Sequence, residues 1–126
     1  MTVSTLLHEL PLLRLDAQAS APALVAGTET LSFAQLGHQV LAFASGVLGL
    51  GLQRGQRVGI WLEKRSEAVV ASFGAPAAGG VMVPMNPLLK PEQVLYIAQD
   101  CNVRVLVTSP DRLALLASLL GQAPDL

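Results

Sequence analysis

Apolar residues between positions 33 and 50 recur at steps of three and four, which predicts an amphipathic helix. The stripe consists of Phe33, Leu36, Val40, Phe43, Val47 and Leu50. Ser32 comes directly before it and Gln35 three residues later, which is the spacing of a capping box at a helix start. We expect the helix to end in Gly49 and Gly51, because glycine readily adopts the left-handed backbone that ends helices.

Beyond position 56, short apolar runs alternate with helical patterns. The predicted elements, in chain order, are a strand at 57–62, a helix at 66–78, a strand at 81–83, a helix from Pro91, a strand at 103–108 and a helix from Ser109 to Gly121. Ser66 and Ser109 are expected to cap their helices. This alternation predicts an α/β fold, a parallel sheet with right-handed crossover helices. Doubly wound domains usually have about five strands or more, so we expect this to be a partial sheet.

The N-terminal part of the chain predicts different elements. Residues 4–19 give a helical pattern interrupted by Pro11, residues 23–26 predict a strand, and Leu31 begins a second extended segment after a turn. The two strands predict a small antiparallel ribbon. We therefore divide the chain into an N-terminal helical segment (1–21), an α/β portion (22–121) and a tail (122–126), which together form an incomplete domain.

The low content of charged residues raises the question of a membrane. Only 13% of the residues are charged, whereas a typical soluble domain has about 25%. The segments 30–53 and 68–89 carry no formal charge and are long enough to cross about 30 Å of hydrocarbon. The first has polar residues along one helical face, and the second contains three prolines and three glycines. We therefore predict no membrane span and expect the apolar surface to be covered by further polypeptide.

Charge and cysteine content exclude several other classes of protein. The formal net charge is -1 and the eight Lys and Arg residues are scattered, so nucleic acid binding is not expected. The N-terminus lacks the basic residues of a signal peptide. Cys101 is the single cysteine, which excludes an internal disulfide and a metal site with several thiolates. A buried thiol and a cytoplasmic protein are the expectation.

Six short segments, in order and at matching spacing, resemble the N-terminal domain of AMP-forming acyl-CoA synthetases. They are Leu24-Val25 with Gly27, Ser32-Phe33-Ala34-Gln35-Leu36, Leu48-Gly49 through Gly55-Gln56-Arg57-Val58, Ala78-Gly79 followed by Val83-Pro84 and Asn86-Pro87, Glu92 with Tyr96-Ile97, and Arg104-Val105-Leu106-Val107. The resemblance covers residues 22–113. It has three departures: Gln56 stands at a usual Asp, Gln93 at a common Glu, and Pro76 in a helix that normally lacks proline.

The resemblance implies an enzyme that joins a carboxylic acid to AMP, using ATP and magnesium, and then transfers the acyl group to coenzyme A. It also implies that the residues for this chemistry lie outside the chain. The family's phosphate-binding loop, its Tyr-Gly-x-Thr-Glu segment, its adenosine-binding Asp and its catalytic Lys have no counterpart here. Thr108-Ser109-Pro110 begins like the phosphate loop, but no glycine or lysine comes next. We therefore predict no catalytic, cofactor-binding or metal-binding residue among the 126 positions.

The loop at 84–89 is the strongest candidate for contact with a ligand. It follows the carboxyl end of a parallel strand, which is where open sheets bind ligands. Its prolines also suit a rigid connector between two elements, and this is the interpretation that we favour.

Other candidate residues have simpler structural interpretations. The glycines at 49, 51 and 55 have the wrong spacing for a dinucleotide-binding fingerprint, and they close a helix instead of opening one. His8 and His38 have no carboxylate at ligand spacing, and His38 falls on the polar face of its helix. Trp61 and Tyr96 are expected to be packing residues.

The sequence leaves two alternatives to the ligase interpretation. The first is a freestanding α/β interaction module that dimerises through its apolar surface. A discrete, soluble dimer in solution would support that module, whereas aggregation would support a truncated domain. The second is a piece that complements a separately encoded remainder. The acyl substrate is not encoded here, because the resembling family builds its substrate pocket largely from later residues.

The absence of the nucleotide-binding motifs predicts that this chain alone binds ATP weakly or not at all. Isothermal titration of the chain with ATP and magnesium measures the affinity directly. Binding in the micromolar range would contradict the prediction.

Overall fold

A three-stranded parallel sheet forms the centre of the computed structural model, which describes Val3 and residues 5–126. The strands are β3 (Arg57–Trp61), β4 (Val81–Pro84) and β5 (Val103–Thr108), and their spatial order is β4–β3–β5. Both neighbours pair with β3 in parallel. The predicted α/β fold with a parallel sheet is therefore confirmed, and the predicted bounds of β5 are those observed.

Helices cover both faces of this sheet. On one face lie α3 (Phe33–Gly49) and α4 (Ser66–Ala77), and on the other lie α5 (Pro91–Asp100) and α6 (Pro110–Leu116). The alternation of side chains along β3 explains this arrangement, since successive residues of a strand point to opposite faces. Val58 packs with Ala44 and Ala75, whereas Trp61 packs with Val94 and Leu116.

The N-terminal residues form two short helices and a hairpin. They are α1 (Glu9–Leu12), α2 (Leu15–Gln18), β1 (Pro22–Ala26) and β2 (Glu29–Ser32), and β1 and β2 pair antiparallel as predicted. Pro11 does not interrupt the helical segment, because it lies in the first turn of α1, where its missing N–H has no partner to lose. The break falls at residues 13 and 14. Residue 4, where the predicted helical pattern began, lies outside the described residues.

The capping box of α3 is present as predicted. The Gln35 backbone N–H donates to Ser32 Oγ at 3.1 Å, and the Ser32 N–H donates to Gln35 Oε1 at 2.8 Å. The prediction that Leu50 belongs to the buried stripe is wrong: it lies at the C-cap and is 74% exposed. The chain turns there, because Gly51 takes the left-handed backbone with φ +95°.

Three other local predictions are corrected by the structure. Ser66 is the first residue of α4 and not its cap, since Arg65 occupies the N-cap position. Tyr96 is 67% exposed and is not a packing residue, because it lies on the outer side of α5. The last helix ends at Leu116 instead of Gly121, and a separate 3-10 turn spans Leu120–Gln122. A turn between Leu116 and Leu120 allows both leucines to face α5, where they join one apolar cluster.

The outer strands are less covered than the central one. Four of the five residues of β3 are buried, but β4 has none that is fully buried and β5 has only Val103. None of the helices in the described part of the chain combines the length and the apolar character needed to cross a bilayer. The partial sheet expected from the sequence is thus present, with open flanks.

α3 and α4 pack closely at Gly74. A Cβ atom at this position would lie 2.5 Å from Cδ1 of Phe43 and 3.0 Å from its Cγ. Gly46, in α3, is a matched position, because a Cβ atom there would meet no described heavy atom within 4 Å.

We expect Gly74→Ala to lower the free energy of unfolding, whereas Gly46→Ala raises it. Overpacking against Phe43 costs about 1–3 kcal/mol, which exceeds the gain of about 1 kcal/mol from replacing a helical glycine by alanine. Gly46→Ala brings the stabilisation of replacing a helical glycine by alanine and causes no overpacking. Urea unfolding of both variants measures the difference, and equal stabilisation by the two substitutions would contradict the close packing.

Candidate functional site

The carboxyl ends of the three strands lie at one edge of the sheet. The connection after β3 runs to α4 on one face, and the connection after the neighbouring β5 runs to α6 on the other face. Strands whose connections part in this way leave a crevice, and open α/β sheets bind ligands there. A cleft of about 610 Å³ occupies this edge, and we call it the carboxyl-edge cleft. Its lining includes Trp61, Glu63, Arg65, Pro87, Ser109 and Arg112.

Arg112, in the first turn of α6, contacts all three strand ends. Its Nε donates to Glu63 Oε2 at 3.0 Å, and its Nη1 donates to the Pro87 carbonyl at 2.8 Å. Its guanidinium carbon lies 4.8 Å from the centre of the Trp61 ring. The Ser109 hydroxyl accepts from the Arg112 backbone N–H, which is the predicted cap of this helix. The local start of α6 therefore places the guanidinium over the cleft.

Two glutamates and Arg65 continue the polar network along the β3 end. Arg65 binds Glu67 with two hydrogen bonds, Nε to Oε2 at 2.7 Å and Nη2 to Oε1 at 2.9 Å. It also reaches Glu63 Oε1 at 3.2 Å. Hydrogen bonding by Arg65 lowers the pKa of Glu67 to about 2. The pKa of Glu63 is lowered by a hydrogen bond from the Glu63 backbone and, to a smaller extent, by the hydrogen bond from Arg112. Both carboxylates are therefore ionised at neutral pH.

Trp61 forms the floor of the cleft and is confirmed as a packing residue. Its side chain is 1% exposed and packs with Met85, Val94 and Leu116. Its indole Nε1 has no hydrogen-bond partner among the described residues. The Thr108 hydroxyl donates to the Trp61 backbone carbonyl at 2.9 Å, and this bond joins the ends of β3 and β5.

The loop at 84–89 is the third side of the cleft, as its position after β4 predicted. The Met85 backbone N–H donates to the Ile60 carbonyl at 2.9 Å, so the loop leaves the sheet in register. Asn86 Oδ1 accepts from the Leu88 N–H at 2.9 Å. The loop backbone is therefore held by the bond to Ile60, by a local turn and by Arg112.

The described residues of the cleft do not form a site for the magnesium ion that the resemblance implies. Glu63 and Glu67 each have a guanidinium group at hydrogen-bond distance, so neither offers a free carboxylate to magnesium. Over the described positions, no three His, Cys, Asp or Glu side chains are grouped to hold a metal ion. We assign no contact with ATP, magnesium or coenzyme A to a residue of this chain.

The remaining candidates from the sequence lie away from the cleft. Gly51 and Gly55 have φ values of +95° and +81° and belong to the turns between α3 and β3. His38 lies on the exposed side of α3, as predicted. Cys101 is half-buried at the C-cap of α5, so the thiol is less enclosed than expected.

Sequence reasoning missed the charged residues of the cleft. Glu63 and Arg112 are 49 positions apart, and no sequence pattern links them. The one available signal was their position within four residues of the end of a parallel strand, at the edge where ligands bind.

A family model described as AMP-binding enzyme matches residues 14–125 of this chain. The chain belongs to the AMP-binding enzyme family. The match covers the whole sheet and its helices and extends beyond the span 22–113 of the six resembling segments.

Solved structures show that the fold is that of the N-terminal domain of adenylate-forming enzymes. The anthranilate CoA ligase AuaEII, in complex with anthranoyl-AMP, has a TM-score of 0.93 and 28% identity, over 100% of this chain and 24% of that chain. The N-terminal domain of FACL13 from Mycobacterium tuberculosis shares the fold, with a TM-score of 0.85 and 22% identity, over 94% of this chain and 30% of that chain.

The curated relatives that the chain matches include a CoA ligase and a peptide synthase. The long-chain-fatty-acid–CoA ligase FadD15 of Mycobacterium bovis is 36% identical over 94 residues, which are 74% of this chain and 16% of that protein. The N-(5-amino-5-carboxypentanoyl)-L-cysteinyl-D-valine synthase of Streptomyces clavuligerus is 35% identical over 101 residues, 79% of this chain and 12% of that protein. The chain thus spans only a small part of the length of these two relatives.

The Arg65–Glu67 pair predicts a dependence of stability on pH. The pKa of Glu67 in the folded protein is about 2, below the ordinary value of 4.5, so its stabilisation is complete above pH 4.5 and is lost as the pH falls towards 2. The Glu67 side chain is 56% exposed, so we expect Glu67→Gln to cost less than about 1 kcal/mol.

Urea unfolding of Glu67→Gln and of the unsubstituted protein at pH 7 and at pH 2.5 (about 2 units below the ordinary value) measures this difference. The control is Glu92→Gln in the first turn of α5, which removes a carboxylate without an ion pair among the described residues. A cost of Glu67→Gln that stays constant between the two pH values would refute the pairing.

Proposed function

We propose that this chain is the N-terminal part of an AMP-forming acyl-CoA ligase. In the proposed reaction a carboxylate oxygen attacks the α-phosphorus of ATP, pyrophosphate leaves, and an acyl-adenylate forms. The thiol of coenzyme A then attacks the acyl carbon, and AMP leaves. The observation that supports this most strongly is the fold of the complete chain, which superposes on a CoA ligase with a TM-score of 0.93.

The remainder of the ligase is the proposed partner of this chain. The chain contributes the start of the N-terminal domain, with an N-terminal helical segment (1–21), an α/β portion (22–121) and a tail (122–126). ATP, magnesium and coenzyme A are bound by the remainder, and the 126-residue chain alone is inactive in this proposal. The half-covered β4 and β5 support it, because further polypeptide would bury them.

The proposal also places the ligase in the cytoplasm and in fatty acid metabolism. The support for fatty acid metabolism is the identity of 36% with a long-chain-fatty-acid–CoA ligase over 94 residues. The support for the cytoplasm is the single cysteine of the sequence. The peptide synthases among the relatives define the competing function, in which the acid is an amino acid. Dimerisation of a freestanding module would also cover the exposed outer strands, and size in solution tests it.

Pyrophosphate exchange tests the proposed reaction. The longer protein is incubated with ATP, magnesium and labelled pyrophosphate, together with fatty, aromatic or amino acids. We expect exchange that depends on a fatty or aromatic acid, and a CoA thioester when coenzyme A is added. The control is the same protein without residues 1–126. Exchange that depends only on amino acids, with no thioester, would reject the acyl-CoA ligase in favour of a peptide synthase.

A further inference from the structure

The side chain of Arg112 joins the three strand ends that form the carboxyl-edge cleft. It binds Glu63 after β3 and the Pro87 carbonyl after β4, while its own backbone follows β5. We propose that Arg112 is a positioning residue that fixes the loop at 84–89 as a rigid wall of this cleft. The inference rests on the proposed function in one respect, namely that this cleft borders the ligand site that the remainder of the ligase completes.

Residues 86–89 of the loop depend on Arg112 because their other hydrogen bonds are local, whereas Met85 is tied to the sheet by its bond to the Ile60 carbonyl. The Leu88 N–H donates to Asn86 Oδ1, and the Leu89 N–H donates to the Asn86 carbonyl. Within the described structure, the bond from Arg112 to the Pro87 carbonyl is the one that connects residues 86–89 to an element distant in sequence. Leu88 is 89% exposed, so packing does not hold the loop at this residue, whereas the next residue, Leu89, packs against the cluster of Trp61.

The three contacts of Arg112 require the shape of a guanidinium group. Nε and Nη1 point towards different acceptors, and the planar group lies over the Trp61 ring. The side chain is 19% exposed, so water competes less for these bonds than at an open surface. A lysine would keep the positive charge, but its single ammonium group lacks the rigid fork that serves two acceptors and stacks on an aromatic face.

A wall held in this way is available before any ligand arrives. Binding then does not have to order the loop, and the ordering of a flexible segment would otherwise reduce affinity. The loop at 84–89 is in this view a fixed part of the site and not a lid. Substitution of Arg112 should therefore weaken ligand use without unfolding the protein.

Amide hydrogen exchange of Leu88, Leu89 and Lys90 in the 126-residue chain tests the positioning role. The first variant is Arg112→Met, which keeps an unbranched apolar side chain over Trp61, and the second is Arg112→Lys. The matched control is Arg104→Met, since Arg104 is an exposed arginine of β5 that contacts the Asp125 carbonyl instead of the loop. Far-ultraviolet circular dichroism reports whether the fold is kept, because emission of Trp61 would respond directly to the loss of the guanidinium over its ring.

We expect exchange at the three amides to be at least tenfold faster in both Arg112 variants, with unchanged exchange in β3 and unchanged circular dichroism. Arg104→Met should match the unsubstituted chain. Exchange within threefold of the unsubstituted chain in Arg112→Met, or full protection in Arg112→Lys, would overturn the proposal. If Arg112→Met fails to fold, the comparison of Arg112→Lys with Arg104→Met decides it.

Steady-state pyrophosphate exchange in the longer protein tests the consequence for the reaction. We expect Arg112→Lys to lower kcat/KM at least fivefold when ATP or the preferred carboxylic acid is varied. A kcat/KM within twofold of the unsubstituted enzyme for both would overturn the role of the wall in the reaction. An unsubstituted protein that catalyses no exchange would contradict the proposed function, and the amide exchange would still decide the positioning role.

Discussion

Burial of β3 on both faces is the constraint on which the rest of the structure depends. Val58, Ile60 and Trp61 are each no more than 4% exposed, and helices cover the strand from both sides. Because the two layers meet at one strand, there is little room next to it. A Cβ atom at Gly59 would lie 2.9 Å from Met85 Cε and 3.1 Å from Val103 Cγ1, so glycine lets the loop after β4 and the start of β5 approach the centre of the sheet.

The same arrangement positions the carboxyl-edge cleft. Parallel strands end at one edge, and the central strand brings the residues after β3 between those after β4 and those after β5. The charged side chains that follow β3 have no room in the apolar layers, so they pair with one another at the edge. Arg112 completes this pairing from the third strand end. The cleft is thus a consequence of strand order and not of any single motif.

Much of the local structure could be predicted because it depends on neighbours in sequence. Ser32 and Gln35 form their capping box, Pro91 occupies the first turn of α5, and the run at 103–108 is a strand. Gln93, which stands where the resembling family commonly has Glu, also acts locally, since its Oε1 accepts from the Lys90 N–H at 2.8 Å. The predicted end of the last helix at Gly121 was wrong, because the packing of Leu116 and Leu120 against α5 decides where that helix stops.

The sequence by itself determined the class of fold, the order of its elements and the resemblance to the AMP-binding family, because periodicity and short motifs are local properties of a chain. Only the tertiary structure decided the order of the strands in the sheet and which side chains share the cleft. Glu63, Pro87 and Arg112 are far apart in sequence, and they meet because two crossovers return the chain to the same edge of the sheet.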